Sequence, residues 1–584
     1  MATATTKTQR DQFEKMRGIL DAEFSSFMPI LREVSEHTDP RRPQFFVTDN
    51  NRGDRRSSKI IDGTATISSD TFASGMTGGN TSPTSPWVRF TTSKPINAEN
   101  YSGRSYLDGV CDAFLEVCAK SNIYESFYSM YRDGSNYATS PILIERDPER
   151  VFHSTTLPVG SYRLALGKQD KVEVLFREFR MTVRSLVLEF GMEYGDEEIN
   201  WDRFSPQVRE HYTRGELEIW IDVCHVVVPN TNYDPNLMES KYKRFLSCYY
   251  EKGRGSAGKG NYDVGDRYLR EKGYDRFPIL VYHFDRSSGD AYGTNCPGFT
   301  SLGNNKALQH LHKRHAQAVD KMVRPPMGAP AGMENRRWST LPDDVAYYDP
   351  NLAAAGSGIA PLYQVQPNTA DLKEMINDLR YQIKEAYYVD VILSLINPDI
   401  NPKQMTAREV DERHDEKYMR FGSILERVKP VLAGLVDLVL PWMYEDGLID
   451  DPPPELEGED IKIEFTSAMA ASQKLVRLGG IERFTQFAIN LSAALAVPGA
   501  KDTFAKVNTD NLLDAYAEGC SLPSKCMVTD DEAMKSRQAA AELQAQQAMA
   551  DAAPGLAKAG KDLSETDTSD PDSALNKIAE AVAQ

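Results

Sequence analysis

GDAYGTNCPGFTSLGNNKALQHLHKRHAQAVDKMVRPP, residues 289–326, runs a Gly/Asn/Pro-rich turn into a helix of about five turns that stops at Arg324-Pro325-Pro326. Gly303-Asn304-Asn305 supplies capping residues, because the first N–H groups of a helix need a side-chain acceptor. Leu308, Leu311, His315, Val319 and Met322 recur at 3–4 residue spacing and form one narrow apolar stripe. Lys306, His310, Lys313, Arg314, Gln317 and Lys321 take the other face. A second helix, Thr369 to about Val391, follows a non-helical excursion of about forty residues. Its packing stripe is Leu372, Met375, Ile376, Leu379, Ile383 and Tyr387. Stripes this thin do not build a monomeric core; they suit helices packed side by side in a ring or bundle.

The rest of the chain is long, acidic and soluble in character. At 584 residues it can hold several domains, and 85 acidic against 67 basic side chains give a formal net charge of −18. An adhesive nucleic-acid binder is excluded by that balance, since such proteins concentrate Lys and Arg to release the counterions on phosphate. The seven cysteines, Cys111, Cys118, Cys224, Cys248, Cys296, Cys520 and Cys526, are odd in number and lack CxxC spacing, so free thiols are expected and no zinc site emerges. The first 17 residues are polar and charged, unlike a signal peptide, and no run of 18 apolar residues exists, so no membrane partner is expected.

Along the chain, residues 10–37 read as an amphipathic helix kinked at Pro29, and 60–76 and 100–132 as helical, with a Gly/Ser/Thr/Pro loop over 78–86. From Pro141 the period moves towards two. Residues 142–145, 162–166, 172–181, 218–228, 245–250 and 277–284 read as strands of a mainly antiparallel module. Thr182 caps a short helix ending at Gly191. Thr406-Ala-Arg-Glu409 is a capping box opening a long helix, whose seam is Phe421, Leu425, Val428, Leu432, Leu435 and Val439 with Pro430 inside it. Ile461–Phe465 alternates as a strand, and 470–520 reads as a compact helical domain. The tail from Asp530 holds 11 acidic and 5 basic residues and is read as partly helical and, beyond Pro554, disordered.

The order of these pieces resembles the portal, or head-to-tail connector, family of short-tailed bacteriophages. AYGTNCPGF followed by a helix ending in Asp320-Lys321-Met322-Val323-Arg324-Pro325-Pro326 is similar to the family's first stem helix. Residues 404–428, QMTAREVDERHDEKYMRFGSILERV, look like its long wing helix. Lys59-Ile60-Ile61-Asp62-Gly63-Thr64-Ala65, Ala73-Ser74-Gly75-Met76 and Ser85-Pro86-Trp87 match its N-terminal signature in order. Phe176-Arg177-Glu178-Phe179 with Met181-Thr182-Val183-Arg184 adds a fifth anchor.

The resemblance implies a mainly helical α+β subunit that assembles as a twelve-membered ring. Its parts would be a wing over 1–303, stem helices over 304–324 and 369–391, and a clip over 325–368. A tunnel loop over 392–405, the long wing helix and returning strand over 406–466, a helical crown over 467–529 and the acidic tail over 530–584 complete it. The ring would sit at one capsid vertex of the virion, assembled in the host cytoplasm. It would pass double-stranded DNA non-specifically during packaging and ejection. Its partners would be the major capsid and scaffolding proteins, the terminase motor, and a tail adaptor or tube protein. No cofactor, metal or catalytic residue is implied.

Two readings stay open for the charged residues of the second stem-like helix. Lys373, Arg380 and Lys384 project away from its packing stripe, so they either line the DNA channel or belong to an ordinary solvated face, which Asp371, Glu374, Asp378 and Glu385 share. Lys403 lies where the family has its tunnel-facing loop. In the clip, Arg336, Arg337 and Trp338 are candidates for partner docking.

Rival readings are another virion ring protein, such as a tail-tube or internal core component, or a phosphate-loop ATPase using Lys259. Gly253-Arg-Gly-Ser-Ala-Gly258-Lys259-Gly260 fits GxxxxGK, but the position after the lysine lacks the Ser or Thr that holds magnesium, and no helix start follows. A basic hairpin tip is the plainer reading. His310, His312 and His315 lack the further ligands a zinc site needs, and no GxSxG elbow supports a nucleophile.

Overall fold

The computed structural model describes residues 9–45, 53–54, 56–92, 101–192, 198–237, 239–252, 267–324, 327–328, 360–361, 369–396, 407–454, 456 and 461–466, with short helical pieces at 484–485, 512–513, 516 and 534–543. The chain opens with α1 (Gln9–His37), α2 (Thr64–Asn80), β1 (Val88–Thr92), α3 (Tyr101–Lys120) and α4 (Ile123–Tyr137). Strands β2 (Thr139–Asp147), β3 (Val151–Thr156), β4 (Tyr162–Leu166) and β5 (Val172–Thr182) follow, then α5 (Val183–Phe190) and α6 (Pro206–Thr213). Strands β6 (Trp220–Pro229), β7 (Phe245–Glu251), β8 (Arg270–Tyr274) and β9 (Ile279–His283) lead to the short α7 (Pro297–Thr300) and to α8 (Leu302–Val323). Next come β10 (Met327–Gly328), β11 (Ala360–Pro361), α9 (Thr369–Ala386), α10 (Val389–Ile396), α11 (Ala407–Glu445) and β12 (Ile461–Phe465).

The fold is α+β, and every described strand pair is antiparallel. One sheet has the order β4-β5-β6-β7-β8 and a second has β3-β2-β9. Alternation along β6 explains how the larger sheet is covered. Cys224, Val226 and Val228 pack with Phe13 and Leu20 of α1, whereas Val223 joins Leu186, Val187 and Phe190 of α5 on the other side. Pro29 is accommodated inside one 29-residue helix. Thr182 caps α5 as its sequence requires, its hydroxyl accepting the N–H of Ser185, and Gly191 ends it.

The largest core gathers α2, α3, α4, the β2–β9 sheet and the second half of α11. Helix α4 lies at its centre, with Phe127, Met130 and Tyr131 buried. Ala138, in the left-handed region at φ 63°, turns the chain sharply into β2, whose first six residues are all buried. The α11 seam of Leu425, Val428, Leu432, Leu435 and Val439 is buried as its spacing requires. Strand β12 returns to pair with β1, Val88 opposite Phe465 and Thr92 opposite Ile461.

Several expectations change. The helix expected over 60–76 begins at Thr64, where Asp62 accepts from the Thr64 N–H, and it runs on to Asn80 through part of the expected loop. Strands β1, β3 and β8 add to those expected, and only the polar REKGY of β8 lacks the β-branched and aromatic residues that mark strands in sequence. The second stem-like helix does not run unbroken to Val391. It stops at Ala386, Tyr388 takes φ 57°, and α10 starts at Val389. That break lays α10 directly on α2, where a Cβ at position 75 would sit 2.1 Å from Ile392 Cγ2; only glycine fits there. Thr406 of the capping box, the crown over 467–529 apart from three short pieces, and nearly all of the clip lie outside the described residues.

Candidate functional site

Helices α8 and α9 pack against each other, and the short β10–β11 pair brings the chain beyond α8 back alongside itself. Their shared seam is buried only near the body of the subunit: Leu308, Ile376 and Ile383 are inaccessible, and Leu311 and Leu379 pack partly against the core. Farther along α8, Val319 is 39%, Met322 47% and Val323 73% exposed, and on α9 Met375 (52%) and Tyr381 (58%) are exposed beside the buried Ile376 and Ile383.

The root of this pair is a joint of buried polar groups. Gln309 Oε1 accepts the N–H groups of Ile61 and Asp62, both at 2.7 Å. Its Nε2 donates to the Asp62 carbonyl at 2.8 Å and to Asn305 Oδ1 at 2.9 Å. Asn305 in turn donates to the His37 carbonyl at 3.0 Å. Asn305 therefore does not cap α8 as expected; Ser301 holds the N-cap position without a side-chain bond, and Asn305 is committed to the end of α1. Arg380 of α9 closes the joint, donating through Nε and Nη2 to Asp62 Oδ2 at 2.9 and 2.7 Å. Burial works to raise the Asp62 carboxyl, but the Thr64 hydroxyl and the Arg380 guanidinium outweigh it and hold it below the ordinary range.

A second polar cluster ties the same root to α4. Tyr387 donates to Asn136 Oδ1 at 2.9 Å, while Asp133, one turn earlier, is paired with Arg42. Arg132 bridges Asp39 at 3.0 Å and Asp70 at 3.2 Å. Burial pushes the Asp133 carboxyl up to about 6, against the pull of Arg42, and raises Asp39 as well.

The channel candidates separate. Lys373 and Lys384 are exposed, Arg380 is half-buried against Asp62, and Lys403 lies outside the described residues. The three α9 cations do not project away from the packing stripe. At 100° per residue they flank it, roughly 60° round from Ile376 and Ile383. The far side carries Asp371, Glu374, Asp378 and Glu385, all exposed. Helix α8 is the cationic partner: Lys306, Lys313, Arg314 and Lys321 stand against Asp320 alone. Lys259, Arg336, Arg337 and Trp338 lie outside the described residues. His310 is exposed, and His312 and His315 are half-buried; among the described residues no group of three or more metal-ligating side chains forms. Cys111, Cys118, Cys224, Cys248 and Cys296 are free and buried, and burial pushes the Cys111 and Cys296 thiols up to about 12. No described helix is long and apolar enough to cross a membrane.

Reading by sequence missed the joint. Asn305 and Gln309 stand one turn apart on a helix whose pattern offered no reason to bury an amide, and Asp62 was visible only as part of an ordered motif.

A helix pair rooted on that motif fits what comparison with known proteins finds. The family of bacteriophage head to tail connecting proteins matches residues 10–528. This chain belongs to that family. Among similar proteins, the portal protein of Salmonella phage epsilon15 is 36% identical over 577 residues, covering 98% of this chain and 99% of its own length. The probable portal protein of Bordetella phage BPP-1 is 34% identical over 546 residues, 93% of each chain. The connector family's function is that of a phage portal, a structural component of the virion, and it is the function of this chain.

Replacing Gln309 with Met strands the buried N–H of Asp62 and removes the acceptor of the part-buried N–H of Ile61. Each buried group left unpaired costs about 1–3 kcal/mol, so urea unfolding should show a loss of at least that size, with faster hydrogen exchange over 61–64. The Asp133 carboxyl is held above its ordinary value, so the folded state binds its proton more tightly than the unfolded chain. Its contribution to stability is therefore greatest below 3.8 and falls as pH rises to about 6. The difference in unfolding free energy between wild type and Asp133→Asn should decline across that window. A difference that rises with pH would contradict the assignment.

Proposed function

We propose that twelve copies of this chain close into a ring at one capsid vertex, with α8 and α9 as the stem around a tunnel for double-stranded DNA. The observation that carries this reading is the half-satisfied seam of the helix pair. Val319, Met322 and Val323 are apolar and exposed close together towards the far end of α8, and Met375 and Tyr381 add exposed side chains on α9, on two helices that the Gln309 joint holds in place. Such a face calls for a neighbour, and a head-to-tail contact between identical subunits closes into a ring when its rotation divides the circle.

The acidic whole and the cationic α8 suit a conduit. DNA that must slide is repelled by most of the wall and touched by a few symmetric rings of charge, in contacts blind to sequence and screened by salt. Lys373 and Lys384 remain candidates for such rings, and Lys403 for the tunnel loop. Arg380 is assigned to the joint with Asp62 first. Residues 325–368 would form the clip, with Arg336, Arg337 and Trp338 meeting the terminase motor and then the tail. The scaffolding and major capsid proteins would surround the wing. Chemistry on ATP belongs in this reading to the motor and not to Lys259.

Native mass measurement of the purified chain should find a closed species of roughly 0.8 MDa, twelve times 65.4 kDa. A stable monomer at micromolar concentration in both low and moderate salt would count heavily against the ring. Lys384→Ala should change packaging efficiency or DNA retention while unfolding stability stays within about 0.5 kcal/mol of wild type. Unchanged packaging would remove Lys384 from the channel.

A further inference from the structure

On exposed helix faces elsewhere in the molecule, opposite charges stand one turn apart and pair. Lys120 meets Glu116, Arg214 meets Glu210 and Lys429 meets Glu426. The projecting pair breaks this habit. On α8, Lys313, Arg314 and Lys321 have no carboxylate three or four residues away, and on α9 Asp371, Glu374, Asp378 and Glu385 have no cation there. All seven are exposed. Among the described residues, Arg314, Lys321, Asp378 and Glu385 form no ion pair within the subunit, whereas Lys306 is spent on Glu33 and Arg380 on Asp62. Like charges one turn apart, as Glu374 and Asp378 are, weaken a lone helix, so each face is left short of the opposite sign.

The two faces share one pitch. Arg314 and Lys321 are seven residues apart, and so are successive members of the row Asp371, Asp378 and Glu385, which makes each step about 10.5 Å. At 100° per residue both rows lie roughly 120–180° round their helices from the buried Leu308, Ile376 and Ile383 of the shared seam. They therefore stand on opposite outer sides of the helix pair, cations on one and carboxylates on the other. Met375 and Tyr381, both exposed, border the acidic row about 60° to either side of Asp378, giving it the apolar margin of a protein contact.

We infer that Arg314 and Lys321 of one subunit dock on the Asp371, Asp378 and Glu385 row of the next copy of the chain. The inference rests on the ring reading and names the surfaces that close it. A head-to-tail contact needs complementary faces on opposite sides of one subunit, and these rows supply them. Helix α8 leaves the root and α9 returns to it, and rotation about a ring axis keeps that opposition between neighbours. The rows then meet antiparallel, and their equal steps stay in register. Lys313, about 100° round from Arg314, stays outside the row and remains available to the tunnel.

The test uses the full-length chain without DNA. One variant is Arg314→Glu/Lys321→Glu and the other Asp378→Lys/Glu385→Lys. Thermal unfolding of dilute subunits, and assembly by sedimentation and native mass across salt concentrations, are measured for each variant alone and for their equal mixture. Each variant alone sets like charges face to face, so its concentration for half-assembly should rise about tenfold or more at low salt, and added salt should narrow the gap. The mixture should assemble again with equal numbers of the two chains, because every contact in an alternating ring joins opposite charges. Either variant assembling alone as well as wild type would overturn the docking and leave the ring reading standing. A mixture that stays unassembled would show that the rows do not face each other, and early melting of either variant's dilute subunits would show a role inside the subunit; both would overturn it. Absence of rings in the wild type would defeat both readings together.

Discussion

Asp133 sits inside α4, which packs against α2, α3 and the β3-β2-β9 sheet of the largest core, and a carboxylate placed there obliges the fold to bring a cation to it. Arg42 comes from the loop beyond α1, and Arg132 holds Asp39 in the same loop. Removing one partner of a buried pair costs about 3–5 kcal/mol, because the other charge stays behind. The segment over 37–42 is therefore fixed on α4, and Asn305 reads the His37 carbonyl from that fixed position. Asn136, on the next turn of α4, receives Tyr387. Both helices of the projecting pair are thus referenced to α4 through neighbouring turns.

What could be read from sequence was whatever depends on local periodicity. The stripe of Leu308 and Leu311, the cap at Thr182, the α11 seam and the β12 strand follow from spacing and turn chemistry, and the structure repeats them. The misses have a common cause, which is partnership between distant residues. β8 is a strand because β7 lies beside it, and REKGY does not declare it. Asp62 was present in an ordered anchor, yet its role depends on Gln309 and Arg380, which are far from it in the chain. The Lys373, Arg380 and Lys384 face was misplaced for a related reason. Met375 was counted into the stripe, but it is exposed, and the buried side shifts towards the lysines.

Charge in this molecule is sorted by element. The acidic excess spreads over the surface and the tail, whereas the cations of α8 stand together and those of α9 border a packing seam. In the ring proposed for this chain, a subunit would meet polyanionic DNA, a neighbour and partner proteins on separate surfaces. Sorting lets each surface carry its own sign without altering the folded core.

The joint at the root of the helix pair is built mostly from neutral groups. Gln309, Asn305 and backbone amides carry it, with the Arg380–Asp62 pair on its flank and Lys306–Glu33 outside. Mobile ions weaken attraction between exposed charges but leave a dipolar amide bond almost untouched. In the portal ring proposed here, a capsid filling with DNA would gather a dense cloud of counterions around this protein. The outer pairs would slacken in that cloud while the amide core holds its geometry, so the attachment of the helices is insulated from the ionic weather on either side of it.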